Sequence, residues 1–485
     1  MKLCLSIVKV CFYLSAIFIL NTSHAQDKSN EIDQYIEKYV NNDLFNGSVL
    51  VVQNDKTVFQ KSYGFANKEW GIANNADTKF RIGSITKQFT AMLIMQLEQE
   101  GKLSLQEKIT TYLPWYPKEN GDKITIHHLL THESGLPNYT ESADAMNDIN
   151  THDYSPEEIA KKYCIGHLRF EPGTKFEYCN TGYFLLGLII ETLTKKPYAE
   201  VIQEKILNPA GMKNTGMDNP KQLVLNRASG YAYGFDGYTN ADYINPATAT
   251  YAAGGLYATP QDLYLWQKAL YGDKLLAKEN RELMFTPNLG NYGYGLYIVK
   301  TKADTIIGHN GGLQGFSSSM LHFSKDKITV IIFDNTRVDK RGNLENITAG
   351  IVNILQNKQP APFIKSMQIA MIKQIEKSSG EGLVALYKQL KVEKASYEFS
   401  RPESFLNNLG YHLLQHNRLK DAVAFLKFTT EEYPESANAF DSYAEALVKY
   451  GQKETAIQMY RRSLELNPKN SNAEAQLKLL EQQTK

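Results

Sequence analysis

The sequence predicts an α+β domain, in which a mixed antiparallel sheet packs with a helical lobe, followed by an all-α module. Two observations predict this division. Short strand-like runs bounded by turn residues lie at both ends of the first two-thirds of the chain, and the sequence between them is mainly helical in pattern. The last third instead shows a 34-residue period, which is typical of stacked helical hairpins.

The strand-like runs of the first domain come in two groups. A hairpin is predicted near the start, from Gly47–Gln53 and Thr57–Phe65. Three further strands are expected at 304–308, 315–323 and 327–334. Because helices separate the two groups, we expect one sheet completed by both ends of a domain that spans residues 26–357. The catalytic cleft would then lie between the sheet and the helical lobe.

The repeating part is predicted to occupy residues 401–485, after a linker and helical segment at 358–400. Three positions recur 34 residues further on, Asn417 as Gly451, Ala422 as Ala456 and Pro434 as Pro468. This is the tetratricopeptide period, so two repeats of that kind are expected. Their concave face is a candidate surface for a protein partner, and packing on flanking helices is the alternative.

The first 25 residues have the form of a secretory signal peptide. Lys2 and Lys9 precede an apolar run from Val10 to Leu20, and Ser23-His24-Ala25 forms a cleavage site of small residues. The run is too short to span a bilayer, so no integral membrane segment is expected after removal of the signal. We therefore expect a periplasmic or secreted protein.

The cysteines give a second view of the compartment. Cys4 and Cys11 would leave with the signal, so the mature chain keeps Cys164 and Cys179. In an oxidising compartment these two could form a disulfide, and two buried free thiols fit the sequence equally well.

Composition and charge favour an ordinary folded protein. Of 485 residues, 42% are hydrophobic and 22% are charged, and the formal net charge is +1. This balance provides no electrostatic attraction for nucleic acid or for an anionic membrane, so neither is expected as a partner.

Three short motifs carry the chemistry: Ser84-Ile85-Thr86-Lys87, Tyr178-Cys179-Asn180 and His309-Asn310-Gly311. Together they provide a nucleophile, proton-transfer groups and a strand that can stabilise an anion, which acyl transfer through a serine ester requires. Each motif alone is weak, since Ser-x-x-Lys also occurs at Ser324 to Lys327. Their order and context carry the prediction.

The chain resembles the serine β-lactamase and penicillin-binding-protein superfamily, in its class C, D,D-peptidase and esterase branch. The resemblance extends over about residues 45 to 335. It rests on the three motifs and on five blocks: Phe80-Arg81-Ile82-Gly83-Ser84, Leu129-Leu130-Thr131-His132-Glu133-Ser134-Gly135-Leu136, Glu171-Pro172-Gly173-Thr174, Ala253-Gly254-Gly255-Leu256 and Gly308-His309-Asn310-Gly311-Gly312. It implies a β-lactamase-like fold for the first domain.

The resemblance also implies roles for single residues. Ser84 would be the acylated nucleophile, and Lys87 the group that takes or relays its proton. Tyr178 would be the general base, as a phenolate favoured by a nearby cation or through a hydrogen bond shared with Lys87. Asn180 would hold Lys87 and a substrate oxygen. The backbone N–H groups of Ser84 and Gly312 would form the oxyanion hole.

His309 and Gly311 of the third motif are expected to bind substrate. The family usually has lysine where this chain has His309, and a histidine is mostly neutral at pH 7. Small esters and peptides without a terminal carboxylate are therefore favoured, among a wider set of esters, D-amino-acid peptides and β-lactam-like amides. The resemblance implies no metal and no organic cofactor.

Two alternatives were weighed. The cluster of His127, His128, His132 and Glu133 offers imidazoles at i, i+4, but it lacks the His-Glu-x-x-His order, which argues against zinc. The second alternative is a catalytically silent binding or sensor protein of the penicillin fold whose repeats engage a partner. Retention of Ser84, Lys87, Tyr178 and Asn180 favours the enzyme.

Overall fold

The computed structural model describes residues 27–338 and 343–483, so the predicted signal peptide lies outside the described residues. The chain divides into two compact units. The first contains Phe45–Ala232 and Asn240–Ala361 together with a helix at residues 27–40. The second contains Asn42–Leu44, Tyr233–Thr239 and the chain from Pro362 onward.

A six-stranded sheet forms the centre of the first unit, and every neighbouring pair of its strands is antiparallel. Strands from the start of the domain pair directly with strands from its end, as predicted: Val49 lies opposite Ile332. The sheet order is Tyr297–Lys300, Thr305–Leu313, Phe316–Phe323, Ile328–Asp334, Gly47–Gln53 and Lys56–Ser62.

The third motif lies on a strand that is longer than the sequence predicts. This strand, Thr305–Leu313, is second in the sheet, and its outer neighbour Tyr297–Lys300 pairs with it only from Thr305 to Gly308. From His309 onward, the described sheet contributes a partner on one side alone. From the sequence, His309 is expected on an edge strand. In the structure this strand is internal to the sheet, but the part that carries the third motif has a neighbouring strand on one side alone.

The first motif begins the most deeply buried helix of the first unit. Gly83–Ile85 forms a 3-10 turn that continues into the helix Thr86–Gln99, and all residues from Ile85 to Leu97 are buried. Phe89 stacks on Trp266 with ring centroids 4.0 Å apart. Gly101, with φ of +66°, follows the helix end, as predicted for a C-terminal cap.

The helices of the lobe lie between the two groups of strands along the chain, as predicted. Its helices, with those that follow in the first unit, are Ile109–Tyr112, Lys118–Gly121, Ile126–Leu130, Ala143–Thr151, Pro156–Tyr163, Asn180–Thr194, Tyr198–Ile202, Asn208–Ala210, Tyr251–Gly254, Pro260–Tyr271, Lys278–Met284 and Asn343–Leu355. Short 3-10 and π turns lie at Tyr139–Glu141, Gln203–Leu207, Pro246–Thr250 and Leu289–Asn291. Minor strands lie at Phe65–Asn67, Ile72–Ala73, Phe80–Arg81, Gly216–Met217, Tyr231–Gly234, Gly237–Asn240, Leu256–Ala258 and Thr336–Val338.

The second unit is mainly helical and has its own hydrophobic core, which includes Leu406, Phe425 and Leu447. Its helices are Met367–Ile372, Ile375–Lys377, Gly380–Val392, Pro402–Gln415, Leu419–Glu432, Ala437–Tyr450, Lys453–Leu466 and Ser471–Gln483, with two-residue strands at Lys365–Ser366 and Tyr397–Glu398. A C-terminal helical module is thus confirmed. Its tetratricopeptide nature and a protein partner for it stay predictions.

No helix within residues 27–338 or 343–483 combines the length and the apolar character needed to cross a membrane.

Candidate active site

Ser84 and Lys87 are in direct contact. Ser84 lies in the 3-10 turn and Lys87 in the first turn of the helix that follows, which brings both side chains to one side. The Nζ atom of Lys87 lies 3.0 Å from Ser84 Oγ. The Lys87 side chain is fully buried, with 0% exposure. The spacing of the first motif therefore brings the Ser84 hydroxyl and the Lys87 amine together; their roles as nucleophile and base stay predictions.

Two further acceptors surround Lys87. Its Nζ donates to Asn180 Oδ1 and to the carbonyl oxygen of Ala253, each at 2.7 Å. Burial lowers the pKa of Lys87 well below its usual value, because none of these partners carries a charge that would compensate the buried ammonium. A neutral amine has two N–H groups and one lone pair. The two oxygens take the N–H groups, so the lone pair is directed at the Ser84 hydroxyl.

Asn180 is held in one orientation by a polar pair on the loop before Ala143. Its Nδ2 donates to Thr140 Oγ1 at 2.9 Å, and its backbone N–H donates to Asn138 Oδ1 at 3.1 Å. Because Nδ2 is used in this way, Oδ1 faces Lys87. The contact that the resemblance implies between Asn180 and Lys87 is present in this geometry.

Tyr178 lies beside Lys87 and is neutral. The Lys87 Nζ atom is 4.9 Å from the centre of the Tyr178 ring, and the His132 ring is 4.2 Å away on another side. The phenol oxygen is buried and makes no hydrogen bond of good geometry. Burial raises the pKa of Tyr178 well above 10, and the nearby Ser84 hydroxyl offsets only part of the rise. Of the two forms considered for Tyr178, a phenolate and a phenol that shares a hydrogen bond with Lys87, burial favours the protonated phenol.

His309 is also neutral and is already hydrogen-bonded at both ring nitrogens. Its Nδ1 donates to the carbonyl oxygen of Asn310 at 2.5 Å, which leaves Nε2 to accept from the Tyr292 hydroxyl at 3.1 Å. Burial lowers the pKa of His309 to about 3. The third motif thus provides no positive charge, as predicted. His309 is not among the described residues that line the cavity, so a direct substrate contact is not supported.

Gly311, which ends the third motif, and Gly312, which follows it, have different surroundings. A Cβ on Gly311 would lie 2.0 Å from the carbonyl oxygen of Ile82, so only glycine lets the strand approach the residues before Ser84. In that gap the Ser318 hydroxyl donates a 2.8 Å hydrogen bond to the same carbonyl. A Cβ on Gly312 would meet nothing within 4 Å, and Gly312 lines the cavity. Gly311 therefore positions the strand, whereas Gly312 faces the cavity; substrate binding by Gly311 stays a prediction.

A cavity of about 290 Å³ opens over the nucleophile. Ser84, Asn180 and Gly312 line it, whereas Lys87 and Tyr178 lie behind Ser84. Segments 138–154 and 231–251 both contribute residues to the lining. The remaining lining residues are Tyr139, Thr140, Met146, Ile244, Thr250, Ala253, Gly254, Leu313, Gln314 and Arg337.

The two cysteines of the mature chain are free and buried. The Cys179 thiol donates to the carbonyl oxygen of Leu136 at 3.4 Å. Burial raises the pKa of both thiols, so neither is activated as a nucleophile. Of the two readings that the sequence left open, the structure shows the free thiols.

The histidines near residue 130 contact different groups. His127 Nδ1 pairs with the Tyr294 hydroxyl at 2.8 Å, and His128 Nδ1 accepts from the backbone of Thr125 at 3.3 Å. His132 Nδ1 accepts from the N–H of Cys179 at 3.1 Å, which ties this segment to the second motif. Of these histidines, His132 therefore helps to position Tyr178, on which its ring also packs.

Sequence reasoning missed several contributors to the site. Ala253 belongs to one of the five blocks on which the resemblance rests. Its contact with Lys87 is made by the backbone carbonyl, which a side-chain motif does not encode. Thr140, Tyr292 and Arg337 carry no motif at all. Arg337 is the only charged residue among those described as lining the cavity.

The chain is similar to proteins of known family. The family model described as Beta-lactamase matches residues 32–351. The putative penicillin-binding protein PbpX of Bacillus subtilis (strain 168) is 32% identical over 335 residues, which are 68% of this chain and 81% of that protein. The teichoic acid D-alanine hydrolase of Staphylococcus aureus (strain MRSA252) is 30% identical over 339 residues, which are 67% of this chain and 78% of that protein.

The fold is also similar to that of solved structures. The crystal structure of D-amino acid amidase from Ochrobactrum anthropi SV3, complexed with L-phenylalanine amide, matches with a TM-score of 0.60 and 26% identity. The match covers 68% of this chain and 99% of that one.

Proposed function

The chain belongs to the Beta-lactamase family and is a serine hydrolase, and on that premise we propose that it hydrolyses small esters and amides of D-amino acids through an acyl-enzyme at Ser84. The observation that carries this proposal is the 3.0 Å contact between Ser84 Oγ and a fully buried Lys87. A neutral amine in that position is a base without any prior loss of a proton.

Acylation begins when Lys87 takes the Ser84 hydroxyl proton as Oγ attacks the substrate carbonyl carbon. The carbonyl oxygen becomes an oxyanion, which in this scheme accepts hydrogen bonds from the backbone N–H groups of Ser84 and Gly312, two residues of the cavity lining. Lys87 is then an ammonium held by Asn180 and Ala253. It holds the proton that the leaving group needs.

Tyr178 acts in this scheme as a neutral proton relay. Its phenol gives its proton to the leaving oxygen or nitrogen and receives one from the Lys87 ammonium, so both residues end neutral. A raised pKa suits this role, because the phenol keeps its proton in the resting enzyme and releases it only to a more basic leaving group. Water then attacks the acyl-enzyme and gives its proton to Lys87, which returns it to Ser84 Oγ.

The size and charge of the cavity support a small substrate. A volume of about 290 Å³ is at the lower end for ligand sites and suits a single amino acyl group. Neutral His309 provides no fixed cation at the position where the family usually has lysine, and the one cation among the described lining residues, Arg337, lies outside the three motifs. Two similar proteins carry D-amino acids in their names, the D-alanine hydrolase and the D-amino acid amidase. A D-aminoacyl ester or amide fits these observations better than a β-lactam.

We further propose a periplasmic or secreted location, which rests on the signal peptide predicted for residues 1–25.

The test compares D-alanine and L-alanine p-nitrophenyl esters and p-nitroanilides, with a penicillin as a third substrate class. We expect turnover of the D-aminoacyl compounds, loss of it in Ser84→Ala, and no change in Ser324→Ala. Ser324 is a matched control because it also heads a Ser-x-x-Lys sequence. Faster turnover of L-compounds or of the penicillin would overturn the substrate class. No turnover of any ester by the folded wild type would overturn the enzymatic role and favour a silent binding protein.

A further inference from the structure

Asp236, His412 and His416 bring together three side chains of the kind that bind transition metals, and all three lie in the second unit. One ligand atom from each lies within 4.8 Å of the other two. Neither the catalytic motifs nor the proposed reaction uses any of these residues.

The helix spacing places the two imidazoles together. His412 lies in the last turn of the helix Pro402–Gln415, and His416 is the residue that caps it. At i, i+4 the side chains share one face, and their ring centroids are 4.1 Å apart. Asp236 faces both rings, with Oδ1 3.4 Å from His416 Nε2 and 3.9 Å from His412 Nδ1.

The hydrogen bond made by His416 selects the tautomer that a metal requires. Its Nδ1 lies 2.9 Å from the carbonyl oxygen of His412. A carbonyl only accepts, so Nδ1 carries a proton, and Nε2 is the ring nitrogen that faces Asp236. A backbone carbonyl on the second ring nitrogen is the usual support of a metal-binding histidine.

The Asp236 carboxylate lies on a turn that packs against the helix through the neighbouring residue. Phe235, the residue before Asp236, packs on Phe405 with ring centroids 5.4 Å apart and on the His412 ring at 5.2 Å. These contacts fix the backbone of the turn next to the helix. His412 itself is 6% exposed, whereas Asp236 and His416 keep one side open to solvent.

We propose that Asp236, His412 and His416 bind a divalent transition-metal ion of the zinc class, with water as the fourth ligand. Asp236 Oδ1 lies 3.4 and 3.9 Å from the two imidazole nitrogens, and all three ligand atoms lie within 4.8 Å of one another, against roughly 3.3 Å between ligand atoms around a tetrahedral ion with bonds of about 2.0–2.1 Å. Two imidazoles and one carboxylate suit Zn²⁺, whereas Mg²⁺ and Ca²⁺ prefer oxygen ligands alone. The open side leaves room for the water.

The test titrates Zn²⁺ into chelator-treated, dialysed protein by isothermal titration calorimetry, with Co²⁺ as a spectroscopic substitute. Wild type should bind one Zn²⁺ per chain and show a visible Co²⁺ absorption band. His416→Ala and Asp236→Asn should each weaken Zn²⁺ binding by at least about 10–100-fold. Both residues are exposed at the surface, so the substitutions should leave the fold intact, which circular dichroism checks.

His167→Ala is the matched control, because His167 is an exposed histidine outside the cluster. It should bind Zn²⁺ as wild type does. Absence of Zn²⁺ binding by the folded wild type would overturn the proposal. Equal binding by wild type, His416→Ala and Asp236→Asn would also overturn it, since the ion would then be held elsewhere.

Discussion

The Nζ atom of Lys87 lies 3.0 Å from the Oγ atom of Ser84, and its two other hydrogen-bond partners, Asn180 Oδ1 and the carbonyl of Ala253, are uncharged acceptors. This relationship fixes the direction of proton flow. A buried lysine without an anionic partner favours its neutral form, so the nucleophile and its base are both ready in the resting enzyme.

The first prediction concerns the pH dependence of turnover. The pKa of Lys87 is lowered, so kcat/KM should rise as Lys87 loses its proton and reach a plateau well below pH 10.5. The pKa of Tyr178 is raised, so the alkaline fall should begin only above pH 10. The measurement is kcat/KM for a D-aminoacyl ester over a wide pH range. A profile that rises up to pH 10 would show a lysine of ordinary basicity.

Removal of the base gives the second prediction. Lys87→Arg keeps a long cationic side chain that cannot act as a base, and it should lower kcat/KM by about 10²–10⁴-fold. The control is Lys327→Arg, at the other Ser-x-x-Lys sequence, which should retain wild-type activity. Comparable activity in Lys87→Arg would remove Lys87 from the mechanism.

The adjacent glycines give a third prediction. Gly311→Ala places a methyl group 2.0 Å from the Ile82 carbonyl, and it should destabilise the fold by about 1–3 kcal/mol and reduce activity. Gly312→Ala meets nothing within 4 Å and should keep wild-type stability, with its effect confined to turnover and KM. Thermal unfolding of both variants checks this difference. Equal destabilisation would contradict the assigned packing.

The fourth prediction concerns Asp334, a buried aspartate on a central strand. Its carboxylate accepts from the backbone N–H of Thr336 at 2.8 Å and of Asn46 at 3.4 Å. Burial raises its pKa to about 8. The native state therefore holds a proton that the unfolded state releases near pH 4. Stability should be fully present below pH 4 and fall by about 1.4 kcal/mol per pH unit until about pH 8.

Asp334→Asn removes this dependence, because an amide oxygen can accept the same hydrogen bonds without a charge. The gain in unfolding free energy of Asp334→Asn over wild type should grow from pH 4 to pH 8 and then level off. Asp77→Asn, at an exposed aspartate, is the control and should show no such trend. Denaturant unfolding at several pH values measures the unfolding free energy of each protein. A gain that does not change with pH would refute the raised pKa of Asp334.

The cysteines give a fifth prediction. A preparation lacking residues 1–25 should present two reactive thiols per chain after denaturation without reductant, and none while folded, because Cys164 and Cys179 are free and buried. Thiol titration measures both numbers. Thiols that appear only after reduction would reveal a disulfide.

The sequence was sufficient where local geometry decides. A serine and a lysine three residues apart at a helix start must lie on one side, and the strands at both ends of the domain followed from alternation and turn residues. The resemblance pointed to Asn180, which belongs to the second motif, and to Gly312, which ends the last of the five blocks.

The ionisation of Tyr178 and the orientation of His309 could not be predicted, because distant rings decide them. His132 and Tyr292 come from segments far apart in sequence, and their packing buries the phenol and occupies the imidazole. The contact of Ala253 with Lys87 uses a backbone carbonyl, which no side-chain pattern encodes. The position of Asp236 beside His412 likewise depends on folding that brings together residues 176 positions apart.

The most direct test of the central claim is covalent labelling of the folded protein with a fluorophosphonate ester, mapped by mass spectrometry. The account predicts an adduct confined to Ser84, absent from Ser84→Ala and unchanged in Ser324→Ala. No adduct on folded wild type, or an adduct that persists in Ser84→Ala, would contradict an activated Ser84 nucleophile.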